Sequence, residues 1–343
     1  MEIIFLILGL IIILICAEIF TNGIETFGEK LSLSQAVTGS VLAAVGTALP
    51  ETIIPLTAIL LYKGEAGRHI GVGAILGAPF MLTTVGLFLI GMSIFLSYLL
   101  KKREKLEIYL ETHTFVRDFS FFLISYSLAI FFPFVFPNTK FLHYLIAFIL
   151  LINYLMYLFF TFRADSLELE STKDLYLARW LKAFNLNIKR KEFFLFLSFL
   201  QVIFSLFFMI KGAHLFVENL EILSKKWGID PLLFSLILAP IATELPEKFN
   251  SFLWILRKKD ILAVGNMTGA MVFQSTFPVS IGLLFTNWEI KGLALVSALI
   301  ALSLGIFYLL FLKTFKKIPP YLLIISGICY LIYIYSVIKT IHQ

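Results

Sequence analysis

Ten long apolar runs follow one another along this chain of 343 residues, with little polar sequence between them. Each has about 18 residues or more, enough for a helix to cross the roughly 30 Å hydrocarbon core of a bilayer. Helices are favoured over a β-barrel because the runs are continuously apolar, whereas barrel strands alternate. Only 15% of the residues are charged, against about 25% in soluble proteins, which excludes an ordinary water-soluble enzyme. We therefore predict an all-α, multi-pass membrane protein with ten transmembrane helices, at residues 3–21, 36–61, 70–98, 119–136, 141–162, 193–217, 231–256, 262–286, 291–313 and 319–339.

The basic residues predict the orientation of these spans. Of the 28 Lys and Arg residues, 19 fall in the loops that follow spans 1, 3, 5, 7 and 9, and seven fall on the opposite side. Because loops rich in Lys and Arg stay in the cytoplasm, both termini are predicted to lie outside, in a protein of the cell membrane. The same loop clusters account for the net charge of +6. They therefore indicate a lipid bilayer and not a nucleic acid as the partner.

Two stretches of the sequence repeat each other. Aligned without gaps, residues 16–51 and 212–247 are identical at ten of 36 positions. With five predicted spans in each half, the second copy must be inserted upside down relative to the first, an arrangement typical of transporters. We therefore predict two inverted five-helix repeats, 1–162 and 193–343, joined by a cytoplasmic linker over 163–192.

Each repeat ends in Leu-Pro-Glu, which places Glu51 and Glu247 at matched positions inside apolar spans. A carboxylate in the bilayer interior costs about 2.5–3.5 kcal/mol on insertion scales, so two in matched positions indicate a function, and binding a cation is the natural one. In the alternative, the glutamates pair with buried cationic side chains and have a structural role.

Further oxygen atoms are expected beside the two carboxylates. A proline inside a helix frees the carbonyl four residues earlier, so Pro50 and Pro246 indicate free backbone oxygens next to threonine hydroxyls. Carboxylate, hydroxyl and carbonyl oxygens are the ligands that hard cations such as Ca²⁺ prefer. Alternatively, the prolines only kink their spans for packing. The additional candidate ligands are Gly46, Thr47, Ala242 and Thr243.

Glu244 and Lys248 are a second unusual feature of span 7. They are four residues apart, the spacing at which an acid and a following base pair on one helix face. Glu244 is therefore either an additional cation ligand or the structural partner of Lys248.

A Gly-x-x-x-Gly motif follows each Pro-Glu, at Gly73–Gly77 and at Gly265–Gly269. Glycines at this spacing let another helix backbone approach closely. We expect packing contacts here, and their recurrence in both halves predicts that spans 3 and 8 pack on the spans that carry the glutamates.

The segments Val-Gly-Thr-Ala-Leu-Pro-Glu at 45–51 and Ile-Ala-Thr-Glu-Leu-Pro-Glu at 241–247 resemble the two repeat motifs of the Ca²⁺/cation antiporter superfamily, which includes the sodium/calcium exchangers. The resemblance implies a ten-helix exchanger in which Glu51 and Glu247 are the principal ligands and spans 1 and 6 move as a gate. This chain departs from the family pattern at several positions. Leu82 and Gln274 stand where the family has a further Asn or Asp ligand, and Gln274 is a candidate replacement.

These observations predict a cation antiporter that exchanges Ca²⁺ or another metal cation against Na⁺ or H⁺ by alternating access. Because the first half has lost ligand oxygens, a desolvated carboxylate tends to take up a proton when no metal is bound, so proton coupling is expected at least as much as sodium coupling. No cofactor and no obligate protein partner is predicted. The rival hypothesis is a non-transporting scaffold or sensor with a degenerate ion site. A membrane enzyme is disfavoured because the sequence has no nucleophile motif or metal-ligand spacing.

Overall fold

The computed structural model describes residues 1–30, 43–62, 64–136, 139–164, 175–177 and 191–341, except for a few side chains within these ranges. Every regular element in this part of the chain is helical, so the predicted all-α class is confirmed. Two short π-helices, Thr57–Leu61 and Leu82–Gly86, follow the second and third α-helices. The α-helices are α1 (Glu2–Lys30), α2 (Ala43–Leu56), α3 (Glu65–Met81), α4 (Leu87–Leu99), α5 (Thr112–Val135), α6 (Lys140–Ala164), α7 (Lys191–Trp227), α8 (Pro231–Thr243), α9 (Leu245–Leu256), α10 (Asp260–Gln274), α11 (Phe277–Phe285), α12 (Gly292–Phe315) and α13 (Pro320–Ile341).

Eight helical segments of the described chain are long and apolar enough to cross a bilayer. They coincide with eight of the predicted spans, and the protein is a multi-pass helical membrane protein. Two shorter apolar helices, Ala48–Leu61 and Pro231–Thr243, lie where spans 2 and 7 are predicted. The beginning of span 2, residues 36–42, lies outside the described residues. Ten crossings and the inverted relation of the two halves therefore stay predictions.

Three of the predicted spans are interrupted. In span 3, the π-helix Leu82–Gly86 separates α3 from α4. Span 7 bends at Glu244, where α8 ends and α9 begins. Span 8 is divided at Ser275 and Thr276, between α10 and α11. By contrast, Pro50 lies inside the α-helix α2, because neighbouring helices let a membrane helix accommodate proline without breaking.

At two contacts, a helix of the first half packs on a helix of the second half so closely that their backbones nearly touch. We call each of these contacts a seam. In the first seam α1 packs on α7, where a Cβ atom built on Gly9 would lie only 2.7 Å from the carbonyl oxygen of Gly212. In the second, α3 packs on α8, and a Cβ on Gly77 would lie 2.1 Å from the carbonyl oxygen of Leu236. Any side chain larger than hydrogen would force these backbones apart. The expected close approach of the first glycine motif is therefore seen.

The second glycine motif does not make such a seam. A Cβ on Gly265 would meet nothing within 4 Å, and one on Gly269 would meet only the Tyr157 hydroxyl oxygen, at 3.3 Å. α10 packs on α5 and α9, and the buried Thr268 hydroxyl donates to Asp118 Oδ2 of α5 at 2.5 Å. Sequence spacing does not show which face of a helix its neighbour occupies, so the expectation of close backbone contact was wrong for this motif.

Contacts near the ends of the predicted spans agree with the predicted sides of the membrane. Arg103, after span 3, forms a buried ion pair with Asp260, after span 7, and both loops are predicted to be cytoplasmic. Lys226, after span 6, lies 3.6 Å from Glu2 near the amino terminus, and both positions are predicted to be outside. The orientation itself is a prediction from the charge distribution.

Most of the predicted linker 163–192 lies outside the described residues, but residues 175–177 are described. The backbone N–H of Tyr176 donates to Asn22 Oδ1 of α1 at 3.0 Å. The N–H of Leu177 donates to Gln201 Oε1 of α7, also at 3.0 Å. This short piece of the linker is therefore bound to both helices of the first seam.

Candidate cation site

Glu51 is buried and contacts the opposite half of the chain. It lies on α2, with only 6% of its surface exposed. Its Oε2 atom accepts a hydrogen bond of 2.7 Å from Nε2 of Gln274, the last residue of α10. The amide thus holds one carboxylate oxygen in place and has its own Oε1 atom as a further oxygen. This contact joins two of the residues that the sequence nominated.

Gln274 is followed by a turn rich in hydroxyl groups. Ser275 and Thr276 are fully buried, and the Thr276 hydroxyl donates to the Val272 carbonyl at 2.7 Å. In the first half, Leu82 is the aligned residue and begins the π-helix. Each half therefore has irregular backbone next to these aligned positions, and irregular backbone within a membrane is tolerated where it is buried in protein or lines a cavity.

Buried threonines follow Leu82 as well, and sequence analysis did not nominate them. Thr83 and Thr84 are fully buried in the π-helix. Thr83 donates to the carbonyl of Pro79 at 2.8 Å and Thr84 to that of Phe80 at 2.5 Å. The available signal was a pair of hydroxyl residues inside an apolar span, shortly after the glycine motif.

Glu244 and Lys248 form an ion pair at the bend between α8 and α9. Nζ of Lys248 lies 2.5 Å from Oε2 of Glu244, and the exposed side-chain fractions are 4% and 0%. The backbone N–H of Lys248 also donates to the Glu244 carbonyl, at 3.1 Å. The predicted pairing is thus present, and the ammonium neutralises a carboxylate that was also considered as a cation ligand.

The remaining nominated residues flank these groups. Ala242 and Thr243 are buried at the end of α8, and the Thr243 hydroxyl donates to the Ala239 carbonyl at 3.1 Å. Gly46 and Thr47 belong to α2 and Glu247 to α9. The side chains of Thr47 and Glu247 lie outside the described part of the structure.

This arrangement suits a small cation bound by scattered oxygens. Among the described residues there is no group of three His, Cys, Asp or Glu side chains that could hold a metal. A cation at Glu51 would therefore need amide, hydroxyl and backbone oxygens in addition to carboxylates, which is the mixed oxygen set typical of Ca²⁺ sites.

Comparison with known proteins gives one family. The family described as "Sodium/calcium exchanger protein" matches residues 1–163 and 197–339. An uncharacterised membrane protein of Methanocaldococcus jannaschii is 25% identical over 300 residues, covering 88% of this chain and 87% of that protein. The sodium/calcium exchanger MaX1 of Methanosarcina acetivorans is 28% identical over 75 residues, 22% of this chain and 21% of that protein.

Two solved exchangers have a similar fold. The crystal structure of the H⁺/Ca²⁺ exchanger CAX superposes with a TM-score of 0.65 and 16% identity, over 99% of this chain and 89% of that one. A structure of the sodium-calcium exchanger NCX_Mj, soaked with Na⁺ and Sr²⁺, gives a TM-score of 0.55 and 20% identity, over 98% of both chains. At these identities the similarity shows the fold alone.

Proposed function

Because the chain belongs to the sodium/calcium exchanger protein family, we propose that it is a secondary active antiporter that exchanges a metal cation against Na⁺ or H⁺ by alternating access. The observation that carries the proposal is the buried contact between Glu51 and Gln274. It joins the two halves of the chain at a carboxylate inside the membrane, where an ionisable group is costly unless it has a function. If the contact between the two halves had only a structural role, apolar packing would be more favourable there than a buried carboxylate.

In the proposed site, Glu51 and Glu247 supply the negative charge. The hydroxyls of Thr47 and Thr243, the backbone oxygens of Gly46 and Ala242, and the amide oxygen of Gln274 complete the ligand set. Glu244 is the remaining nominated ligand, and its ion pair with Lys248 keeps it from binding a cation while the pair is closed. With Leu82 supplying no oxygen, the site suits Ca²⁺, which takes six to eight oxygen ligands, only if water or backbone oxygens contribute.

We propose H⁺ as the counter-ion ahead of Na⁺. A buried carboxylate that has lost its cation is stabilised by taking up a proton, and the depleted ligand set of the first half favours this exchange. The relatives CAX and NCX_Mj are described as H⁺/Ca²⁺ and sodium-calcium exchangers respectively. Both counter-ions therefore have a precedent among proteins of this fold.

Ion flux in proteoliposomes tests the proposal. The purified protein is reconstituted, and uptake of Ca²⁺, Mn²⁺ or Na⁺ is followed under an imposed pH gradient in sodium-free buffer, then under a sodium gradient at constant pH. We expect cation uptake driven by the pH gradient, and its loss in E51Q and E247Q, which keep side-chain volume but remove the charge.

The matched control is E289Q, at an exposed loop glutamate, which is expected to transport normally. Flux driven by sodium alone would replace the proton with Na⁺ as counter-ion. The absence of flux for every cation in well-folded protein would favour a non-transporting scaffold or sensor instead.

A further inference from the structure

The two repeats differ in charge at one pair of matched positions. In the first half these positions are Ala48 and Thr52, and the Thr52 hydroxyl donates to the Ala48 carbonyl at 2.8 Å. In the second half the aligned positions are Glu244 and Lys248, which form the buried ion pair described above. The second half therefore has a carboxylate and an ammonium at two positions where the first half has neutral side chains.

Stability does not explain this difference. A buried ion pair is often no more stable than well-packed apolar residues of similar volume, because both charges must leave water. The neutral first half folds into its helix with only a hydrogen bond from a threonine hydroxyl to a backbone carbonyl at the same positions. The ion pair therefore calls for another role.

The position of the pair suggests what that role is. Glu244 lies at the bend where α8 ends and α9 begins. The carbonyl groups that end α8 offer oxygen atoms there, while the opposite partial charges of the two helix ends offset each other, so the carboxylate supplies the negative charge of this position. Lys248 is next in sequence to Glu247, one of the two glutamates of the proposed site. A buried carboxylate next to the carbonyl groups that end a helix has the chemistry of a cation position, and the group that fills it is the Lys248 ammonium of α9.

We propose that the Lys248 ammonium is a tethered cation, which occupies a monovalent cation position formed by Glu244 and the end of α8. This rests on the proposed function only in treating the centre of the protein as a cation site. Because the tethered ammonium cancels the added carboxylate, the site that exchanges ions keeps the charge of Glu51 and Glu247 alone. Removing Lys248 while keeping Glu244 should then open a position for a free Na⁺ or K⁺ ion.

Thermal unfolding of the purified protein in detergent tests this without any flux measurement. K248M and K248T are compared with the unmodified protein in sodium, potassium and choline chloride at equal ionic strength. Both variants leave Glu244 without its ammonium and are expected to melt at a lower temperature in choline. In sodium or potassium we expect their melting temperature to rise by about 2 °C, as a ligand at about ten times its dissociation constant would give for a chain of this length. The unmodified protein should show no such difference between salts.

The double variants E244Q/K248M and E244A/K248T are the matched controls, since they lack the carboxylate and the ammonium together. They are expected to melt at one temperature in all three salts. Equal melting of K248M and K248T in the three salts would overturn the proposal. A second result would also overturn the proposal: both single variants fail to accumulate in the membranes of cells grown with Na⁺ and K⁺, while the double variants do accumulate. Free cations would then be unable to replace the ammonium.

The result of the melting experiment does not depend on whether the protein transports ions. If E51Q and the unmodified protein both lack flux, the proposed function fails while the salt dependence of K248M still decides the tethered cation. If flux is normal and K248M shows no salt dependence, only the tethered cation fails.

Discussion

At the scale of single residues, Gln274 is the group that distinguishes this site. The side chain is 1% exposed and donates to Glu51 across the two halves of the chain. We expect Q274L to keep the fold and to weaken cation binding by about tenfold or more, since a hydrogen bond to a charged group contributes about 1.5–3 kcal/mol. The apparent affinity in the flux assay measures this, and the maximal rate should change less.

The control for this variant is N153L, which also replaces a hydrogen-bonding amide by leucine. Nδ2 of Asn153 donates to the Ser125 hydroxyl at 2.6 Å, between α6 and α5. This variant should lose a similar interhelical contact without changing the apparent cation affinity. Equal affinity in Q274L and the unmodified protein would mean that Gln274 is not part of the site.

Residue identity predicted some of these contacts and not others. Glu51 was predictable because a carboxylate inside an apolar span is costly, and the Glu244–Lys248 pair because it is local, four residues apart on one segment. The contact of Glu51 with Gln274 joins residues 223 positions apart. This contact forms only because α2 packs near the end of α10. The sequence could therefore nominate Gln274 as a site residue, but it could not show that Gln274 bonds to Glu51.

At the scale of helices, the two glycine motifs provide a matched pair of mutations. Alanine at Gly77 would place a Cβ 2.1 Å from the backbone oxygen of Leu236 and force α3 and α8 apart, so we expect G77A to destabilise the protein by about 1–3 kcal/mol or more. Alanine at Gly265 meets open space, and G265A should be neutral or stabilising by up to about 1 kcal/mol through helix propensity. Thermal melting of the two variants checks both signs. A G77A protein as stable as G265A would contradict the tight seam.

A buried ion pair holds the loop before α5 against α10. Arg103 makes a bidentate pair with Asp260 and donates to the Ile255 carbonyl at 2.8 Å, while the Tyr109 N–H donates to Asp260 at 3.1 Å. Neutralising one partner leaves the other charge buried, so D260N is expected to lower the stability by about 3–5 kcal/mol. Thermal melting checks this.

The comparison for D260N is E289Q, in the exposed pair of Glu289 with Lys291 at 2.8 Å. The hydrogen bond from Lys291 lowers the pKa of the Glu289 carboxyl, yet exposed ion pairs contribute little to stability. Similar melting of the two variants would show that the Arg103–Asp260 pair does not stabilise the fold.

The helix breaks show where sequence reasoning stops. A break in span 7 was expected from Pro246, and the bend lies two residues earlier, at Glu244. Span 8 breaks at Ser275 and Thr276, shortly before Pro278 in the first turn of α11. A proline in the first turn is a local signal for the start of a helix, so this break had a signal in the sequence that the prediction of a continuous span 8 did not use. Buried hydroxyls that bond the preceding turn accommodate the break.

At the scale of the whole molecule, the topology can be tested with single cysteines. K105C and K291C place a thiol at exposed loop positions of opposite predicted sides, in a background without Cys16 and Cys329. The charge distribution puts position 105 in the cytoplasm and position 291 outside. A membrane-impermeant reagent added to intact cells should therefore label K291C and should label K105C only after lysis. The reverse pattern would invert the orientation.

The two seams determine which parts of this protein can move against each other. α1 and α7 are locked by Gly9 and Gly212, and α3 and α8 by Gly77 and its contact with Leu236. A helix cannot slide along either seam, because backbone atoms there leave no space for displacement. In each seam one helix comes from the first half of the chain and the other from the second. In the proposed transport cycle, each of these pairs would move as one body that contains a helix from either half of the chain. The two halves, expressed as separate chains, would have two complementary surfaces through which to assemble.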